Sequence, residues 1–186
     1  MQNIFGIVAG IFAFVAYIVY AKAILRGSTK PSRMTWIIIA LMSWILLLSY
    51  RFSGADTTIW VLVGEAFVVS FVAVISIKRG VGGTDKTDIV CLLGAIGSLF
   101  LWWIFNSSVL GLVASLTVDS FALWPTIKKS LKTPSHEDKL AWTLTEVSNT
   151  INLFAINRLI FGVVIFPVWR FLLDGIVIYA LYRKRK

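Results

Sequence analysis

Five ionisable residues interrupt otherwise apolar runs of this chain: Glu65, Asp119, Glu146, Arg170 and Asp174. A charge in the middle of a lipid-spanning helix costs about 2.5–3.5 kcal/mol on insertion scales, so each one needs a partner or a task. Counted from one end of each apolar run at about 1.5 Å per residue, Asp119, Glu146 and Asp174 share a depth of roughly 9–12 Å. Arg170 precedes Asp174 by one helical turn and shares its face. Three carboxylates and a guanidinium at one level can bind a cation, carry a coupling proton or hold a polar solute. The alternative is an ion-pair network that only locks three helices together. Arg170 with Asp174 alone fits that structural reading. The whole group is unbalanced, three acids against one base, and this favours function.

The run around Glu146 adds to the group. Trp142, Glu146 and Asn149 recur along one helical face, with Thr145, Ser148 and Asn152 beside it. So many hydrogen-bonding groups do not face lipid; they line a wet cavity or a helix contact, and both readings stay open. Trp44 and Trp169 fall mid-run, where an aromatic face can meet a solute or simply pack. Pro125 can act as a hinge or merely end its helix. Glu65 stands apart, and a structural pair with Arg51 or Arg158 is expected for it.

The elements that carry these residues are long and apolar. Of 186 residues, 58% are hydrophobic and 15% charged, with a mean hydropathy of +0.85, which calls for lipid rather than water around the fold. Runs of roughly 20 residues suffice to cross a bilayer. Candidate spans are 4–25, 34–50, 58–77, 89–105, 109–127, 140–156 and 159–182, with Asn106-Ser107-Ser108 as a tight turn between the fourth and fifth. The expectation is an all-α polytopic membrane protein of seven helices. Of 18 lysines and arginines, all but Arg51, Arg158 and Arg170 fall in alternate gaps on one side. That pattern predicts an N-terminus outside and a C-terminus in the cytoplasm of a cell (inner) membrane. Lys22, Arg26, Lys30 and Arg33 follow the first run directly, so it reads as a retained span and not a cleaved signal.

The segment Ile24-Leu25-Arg26-Gly27-Ser28-Thr29-Lys30-Pro31-Ser32 is echoed by Ile127-Lys128-Lys129-Ser130-Leu131-Lys132-Thr133-Pro134-Ser135. Each precedes a helix with an early tryptophan, Trp36 or Trp142, that ends at Arg51 or Arg158. A three-one-three parallel repeat accounts for this order, with 1–80 as the first bundle, 81–106 as loop and linker helix, and 107–186 as the second bundle and basic tail. Alternatively, basic-Pro-Ser recurs because it caps helices: Ser32 and Ser135 are N-cap candidates, the latter with Asp138 in a capping box.

With that layout, Trp124-Pro125-Thr126-Ile127-Lys128-Lys129-Ser130 resembles the proline-glutamine turn of the SWEET/PQ-loop superfamily. The run from Pro125 through Pro134 and Glu137 also resembles a group of bacterial seven-span membrane proteins. The likeness implies solute translocation between two three-helix bundles. Thr126 stands where that superfamily has glutamine, and the first span has Ala21-Lys22 in place of a proline opposite Pro125.

Several classes are excluded by absences. Apart from Lys22 at the basic end of the first run, no span carries a lysine for a retinal linkage, and His136 is a lone histidine without cysteine partners for zinc or haem. The glycines at 80, 82 and 83 lack the Gly-Lys-Ser/Thr of a phosphate cradle. Asp119 and Asp174 lack a protease motif around them. The net charge of +9 follows the positive-inside pattern rather than a nucleic-acid surface. Cys91 is alone, so no intrachain disulfide forms. The sequence thus predicts a transporter of a small polar solute, not an enzyme, with no cofactor and no nucleic-acid partner. Its partners are the bilayer and the solute; a homo-oligomer is left open. Proton or cation coupling would fall to Asp119, Glu146 and Asp174, with Arg170 tuning them and Asn149 orienting the solute. A non-transporting sensor or accessory subunit is the rival.

Overall fold

A hydrocarbon solvent offers backbone amides no partners, so apolar runs of this length satisfy their own hydrogen bonds as helices. The computed structural model describes residues 1–27, 33–80, 86–132, 134 and 138–183. Among these there are seven α-helices and no strand: α1 (Gln2–Leu25), α2 (Arg33–Phe52), α3 (Trp60–Arg79), α4 (Lys86–Phe105), α5 (Ser108–Lys132), α6 (Lys139–Leu153) and α7 (Phe161–Tyr182). Three of them, α1, α3 and α7, are long and apolar enough to cross a membrane. Shorter apolar stretches fill Trp36–Phe52, Leu92–Phe105 and Ser108–Phe121. Large apolar side chains cover the perimeter, among them Phe52, Phe121, Trp103 and Tyr179.

The helix ends follow local chemistry. Gly27, at φ 76°, and Gly54, at φ 100°, take the left-handed backbone that closes α1 and α2. α4 and α5 are separate helices, broken at Asn106 with φ 46°, a conformation Asn tolerates better than most residues. Asp138 itself is the N-cap of α6, accepting from the Ala141 N–H at 3.0 Å. Its carboxylate thereby does what was expected of Ser135, which, with Ser32, Pro31, His136 and Glu137, lies outside the described residues. The helical backbone of α5 runs on through Pro125 to Lys132, so Pro125 does not end it. α7 passes through Pro167, which has no N–H to give the carbonyl one turn back at Val163. The Tyr50 hydroxyl fills that place, donating to Val163 O at 2.6 Å.

The short connections at 53–59, 106–107 and 154–160 gather with Met1 at one end of the bundle, here called the turn end. Most of the lysines and arginines among the described residues gather at the other, the basic end. α1 packs on α3 and α6; α2 on α3, α4 and α5; α7 on α5 and α6; and α4 on α2 and α5. Lighter contacts join α2 to α7 and α3 to α6. The α1–α3 seam is close because it is built from glycine: a Cβ at Gly10 would lie 2.6 Å from Trp60 O, and one at Gly64 would lie 2.8 Å from Gly10 O. This proximity decides where Glu65 goes.

The apolar core differs along the bundle axis. In the turn-end half, Ala9, Ala13, Leu46, Leu47, Leu62, Leu112, Leu116 and Phe166 form one cluster shared by α1–α3 and α5–α7. At mid-height, Ile38, Met42 and Ile45 meet Ala95 and Val118, joining α2 to α4 and α5. Towards the basic end the clusters separate. Ala21, Ile24 and Val72 belong to α1 and α3; Ile127, Val177 and Leu181 belong to α5 and α7.

Candidate functional site

The site centres on a guanidinium. Arg170 on α7 is buried, and its Nη1 donates to Asp119 Oδ2 on α5 at 2.7 Å. Its Nη2 lies 3.4 Å from Asp174 Oδ2, one turn along the same helix, and 3.8 Å from Glu65 Oε1 on α3. Glu65 also accepts from the Tyr17 hydroxyl of α1 at 2.9 Å. Four helices therefore contribute to one buried cluster between α1–α3 and α5–α7, and three carboxylates face one arginine. A charge-assisted bond at the Asp119 distance is strong, whereas the Glu65 contact is an ion pair without a hydrogen bond.

α6 borders the cluster. Asn149 donates its amide to Asp174 Oδ2 at 2.8 Å, so that oxygen serves both Asn149 and Arg170. Glu146, one turn earlier, is half-buried and rests against α7, where a Cβ at Gly175 would meet its Oε1 at 3.5 Å. Five atoms here, Glu146 Oε2, Asp174 Oδ1, Arg170 Nε and both the amide nitrogen and oxygen of Asn152, are buried with no protein hydrogen-bond partner. Buried polar groups are normally paired by protein or ordered water, so unpaired ones mark a place where water or a polar ligand fits. Ser148, on the adjoining face of α6, ties that helix to α1 by donating to Ala9 O at 2.8 Å.

Of the residues singled out by sequence, Asp119, Arg170, Asp174 and Asn149 are in direct contact, and Glu146 lies beside them. Trp142 packs nearer the basic end against Ile127, Val177 and Leu181. Trp44 is not part of the cluster. Its Nε1 donates to Ser70 Oγ at 3.0 Å, its ring edge meets Phe67 at 5.3 Å, and it remains 37% exposed. It shares an exposed stripe of α2 with Leu41 and Leu48. Trp169 donates to Ser120 Oγ on α5 at 2.8 Å and packs on the shared apolar core.

Glu65 requires a correction. It pairs with neither Arg51, which donates to Ala55 O, nor Arg158, which pairs with Asp56 at 3.5 Å. The glycine seam sets Trp60, the first residue of α3, level with Gly10 of α1. One and a half turns further on, Glu65 is well below the turn-end surface and faces α7. The phase of α3 carries this signal: Glu65 falls in the buried series Leu62, Val69, Val72 and Ser76. Tyr17 was not singled out, although it continues the small-residue face Gly6, Gly10, Ala13 of α1.

The turn end holds a second polar group, this one near water. Asp56 accepts from the Thr57 N–H at 2.7 Å and the Asn157 amide at 2.9 Å, and it pairs with Arg158. Burial pushes the Asp56 carboxyl up, but those hydrogen bonds and the Arg158 charge outweigh it and hold it below the usual carboxylate value. Arg158 also donates to Gly54 O, Thr57 Oγ1 to Ala155 O at 2.6 Å, and Gln2 to Ile156 O at 3.2 Å. All of these bonds except that from the Thr57 N–H run between α1–α3 with their connections and the segment joining α6 to α7. At the basic end, Arg33 donates to Gly80 O, Arg79 to Leu25 O and Arg183 to Leu131 O, and Thr143 bonds with Tyr182, each within one triplet.

Compared with protein-family models, curated proteins and solved structures, the chain matches none of them.

Proposed function

We propose that this chain is a seven-span transporter of a small polar solute, in which two parallel triplets, α1–α3 and α5–α7, rock about the Arg170 cluster with α4 as the link. One observation carries the reading: the buried charges lie between the triplets and come from both, Glu65 from the first and Asp119, Arg170 and Asp174 from the second. A network serving only to stabilise one bundle has no need of members from the other.

The helix neighbours support a repeat. Exchanging α1 with α5, α2 with α6 and α3 with α7 turns each contact among these six helices into another that is also made. Thus α1·α6 becomes α5·α2, and α2·α3 becomes α6·α7. Register agrees: Pro134 follows Pro31 by 103 positions and Ser120 follows Tyr17 by 103, while Trp169 follows Glu65 by 104. The two aromatic hydrogen bonds, Tyr17 to Glu65 and Trp169 to Ser120, therefore join matching helix pairs at matching levels.

The contrast between the two ends supports a direction of access. The turn end is tied across the triplets by polar bonds and a common apolar core, whereas towards the basic end the buried apolar clusters lie within single triplets. By the positive-inside rule the basic end is cytoplasmic, so the solute reaches the cluster from the cell interior of a multi-pass inner-membrane protein. Excess carboxylate favours a solute or coupling ion of positive charge. The test is uptake of a panel of labelled amines, amino acids and sugars into proteoliposomes under an imposed pH gradient. Accumulation of one class that is lost in Glu146→Gln supports the reading; a variant equal to wild type removes Glu146 from coupling, and no movement of any class removes transport.

A further inference from the structure

We infer that Glu65 is a proton-binding site whose occupancy reports and biases the separation of the two triplets, because its bond to Arg170 is the one ion pair between the triplets inside the bundle among the described residues. This deepens the transport reading and rests on its premise that the triplets move. Arg170 is anchored within its own triplet by Asp119 at 2.7 Å and Asp174 at 3.4 Å, whereas Glu65 holds it at 3.8 Å without a hydrogen bond. When the triplets part at this level, the arginine stays with its two aspartates and the Glu65 contact is the one that breaks. Glu65 then keeps only Tyr17, which belongs to its own triplet.

The groups that act on Glu65 come from three helices: Tyr17 from α1, Asp119 from α5, and Arg170 and Asp174 from α7. α2 and α6 also pack on α3 and bring no titratable neighbour to it among the described residues. Among the described residues Arg170 is therefore the only positive charge facing this carboxylate. A carboxylate deprived of its counter-charge in a poorly hydrated interior is stable only when neutral. Separation is completed by one step: a proton from the basic-end water adds to a Glu65 carboxylate oxygen, giving the acid, which the Tyr17 oxygen can accept from. Re-approach of Arg170 returns that proton to water. By linkage, a proton that binds the parted form better shifts the population towards it as pH falls.

The experiment uses the full chain in lipid nanodiscs on a Cys91→Ser background, with spin labels at Ile77 and Tyr179, exposed positions on α3 and α7 near the basic end. Wild type should redistribute between two label distances from pH 8 to pH 5, the ratio changing by up to about tenfold per pH unit. Glu65→Gln should hold the low-pH distribution throughout. Tyr17→Phe retains the charges and removes one donor from the ionised form, so its midpoint should move up by about one pH unit. A wild-type response surviving in Glu65→Gln overturns the inference, as does a wild type that does not respond. Should Glu65→Gln not fold, an unmoved Tyr17→Phe midpoint has the same force. Failure of the transport reading looks different: the distances obey these rules, yet no solute of the panel crosses the membrane.

Discussion

Two chemically identical substitutions, Gly10→Ala and Gly97→Ala, should move stability apart because of where their new methyl groups go. At Gly10 the Cβ would lie 2.6 Å from Trp60 O and 2.9 Å from Trp60 C, both backbone atoms of the partner helix. At Gly97 it would meet nothing within 4 Å. Both variants gain the same intrinsic helix preference of alanine over glycine, about 1 kcal/mol. Gly97→Ala should therefore be neutral to slightly stabilised. Gly10→Ala must open the α1–α3 seam by about 1 Å to restore ordinary contact, and overpacking of this kind costs about 1–3 kcal/mol. The difference between the variants isolates the clash at about 1–3 kcal/mol. Tryptophan fluorescence during reversible unfolding in mixed detergent micelles reads it. Gly10→Ala should also stretch the Tyr17–Glu65 bond, which lies along the same seam. If Gly10→Ala proves as stable as Gly97→Ala, the seam is not closely packed, and the account of how Glu65 reaches Arg170 fails with it.

Arg170→Ala leaves three facing carboxylates uncompensated and should destabilise by about 3–5 kcal/mol in the same assay; a loss below about 1 kcal/mol would mean that the cluster is already hydrated or protonated. Asp138→Ala removes the N-cap acceptor of α6 and should cost about 0.5–2 kcal/mol, with Asp138→Ser restoring most of it; equal melting of the two variants would contradict the cap. Asp56 is held below its usual value, so its contribution exists above the unfolded value near about 3.9 and is lost as pH falls through the folded one. The group is half-exposed, so less than about 1 kcal/mol is at stake. Melting curves from pH 7 to pH 3 should show wild type above Asp56→Asn at neutral pH and level with it in acid; a gap independent of pH would refute the assignment.

Helix number and order were legible because seven apolar runs separated by charge or turn residues leave little choice of element. The break at Asn106 and the ends at Gly27 and Gly54 were likewise local chemistry. What partners Glu65 was not legible. Its neighbour depends on how deep α3 starts relative to α1, and that offset comes from two glycines meeting backbone of the other helix. The role of Asp138 depends on the backbone path into α6, which the spacing of Ser135 and Asp138 leaves undetermined. Trp44 has a plausible depth but lies apart from the cluster, on the exposed stripe Leu41, Trp44, Leu48, because depth alone says nothing of phase. Asp119, Asn149, Arg170 and Asp174 share a centre because each lies on the inward face of its helix at a similar height.

The proposed repeat also bears on why the chain carries one charged centre and not two. Matching helix pairs each hold an aromatic donor, but its acceptor is a carboxylate in the first triplet, Glu65, and a hydroxyl in the second, Ser120. In the register that aligns Trp169 with Glu65, the position matching Arg170 is Ala66, which is fully buried and apolar. A second arginine there would enter a packed core without the two aspartates that anchor Arg170, whose matching positions are Ala16 and Ser70, at a cost of several kcal/mol. On the proposed repeat, the two triplets would present matched surfaces able to slide, while the charges break the symmetry and make a single place between them. A device of this kind needs one ion pair that opens when the halves separate, and Glu65 with Arg170 occupies that position.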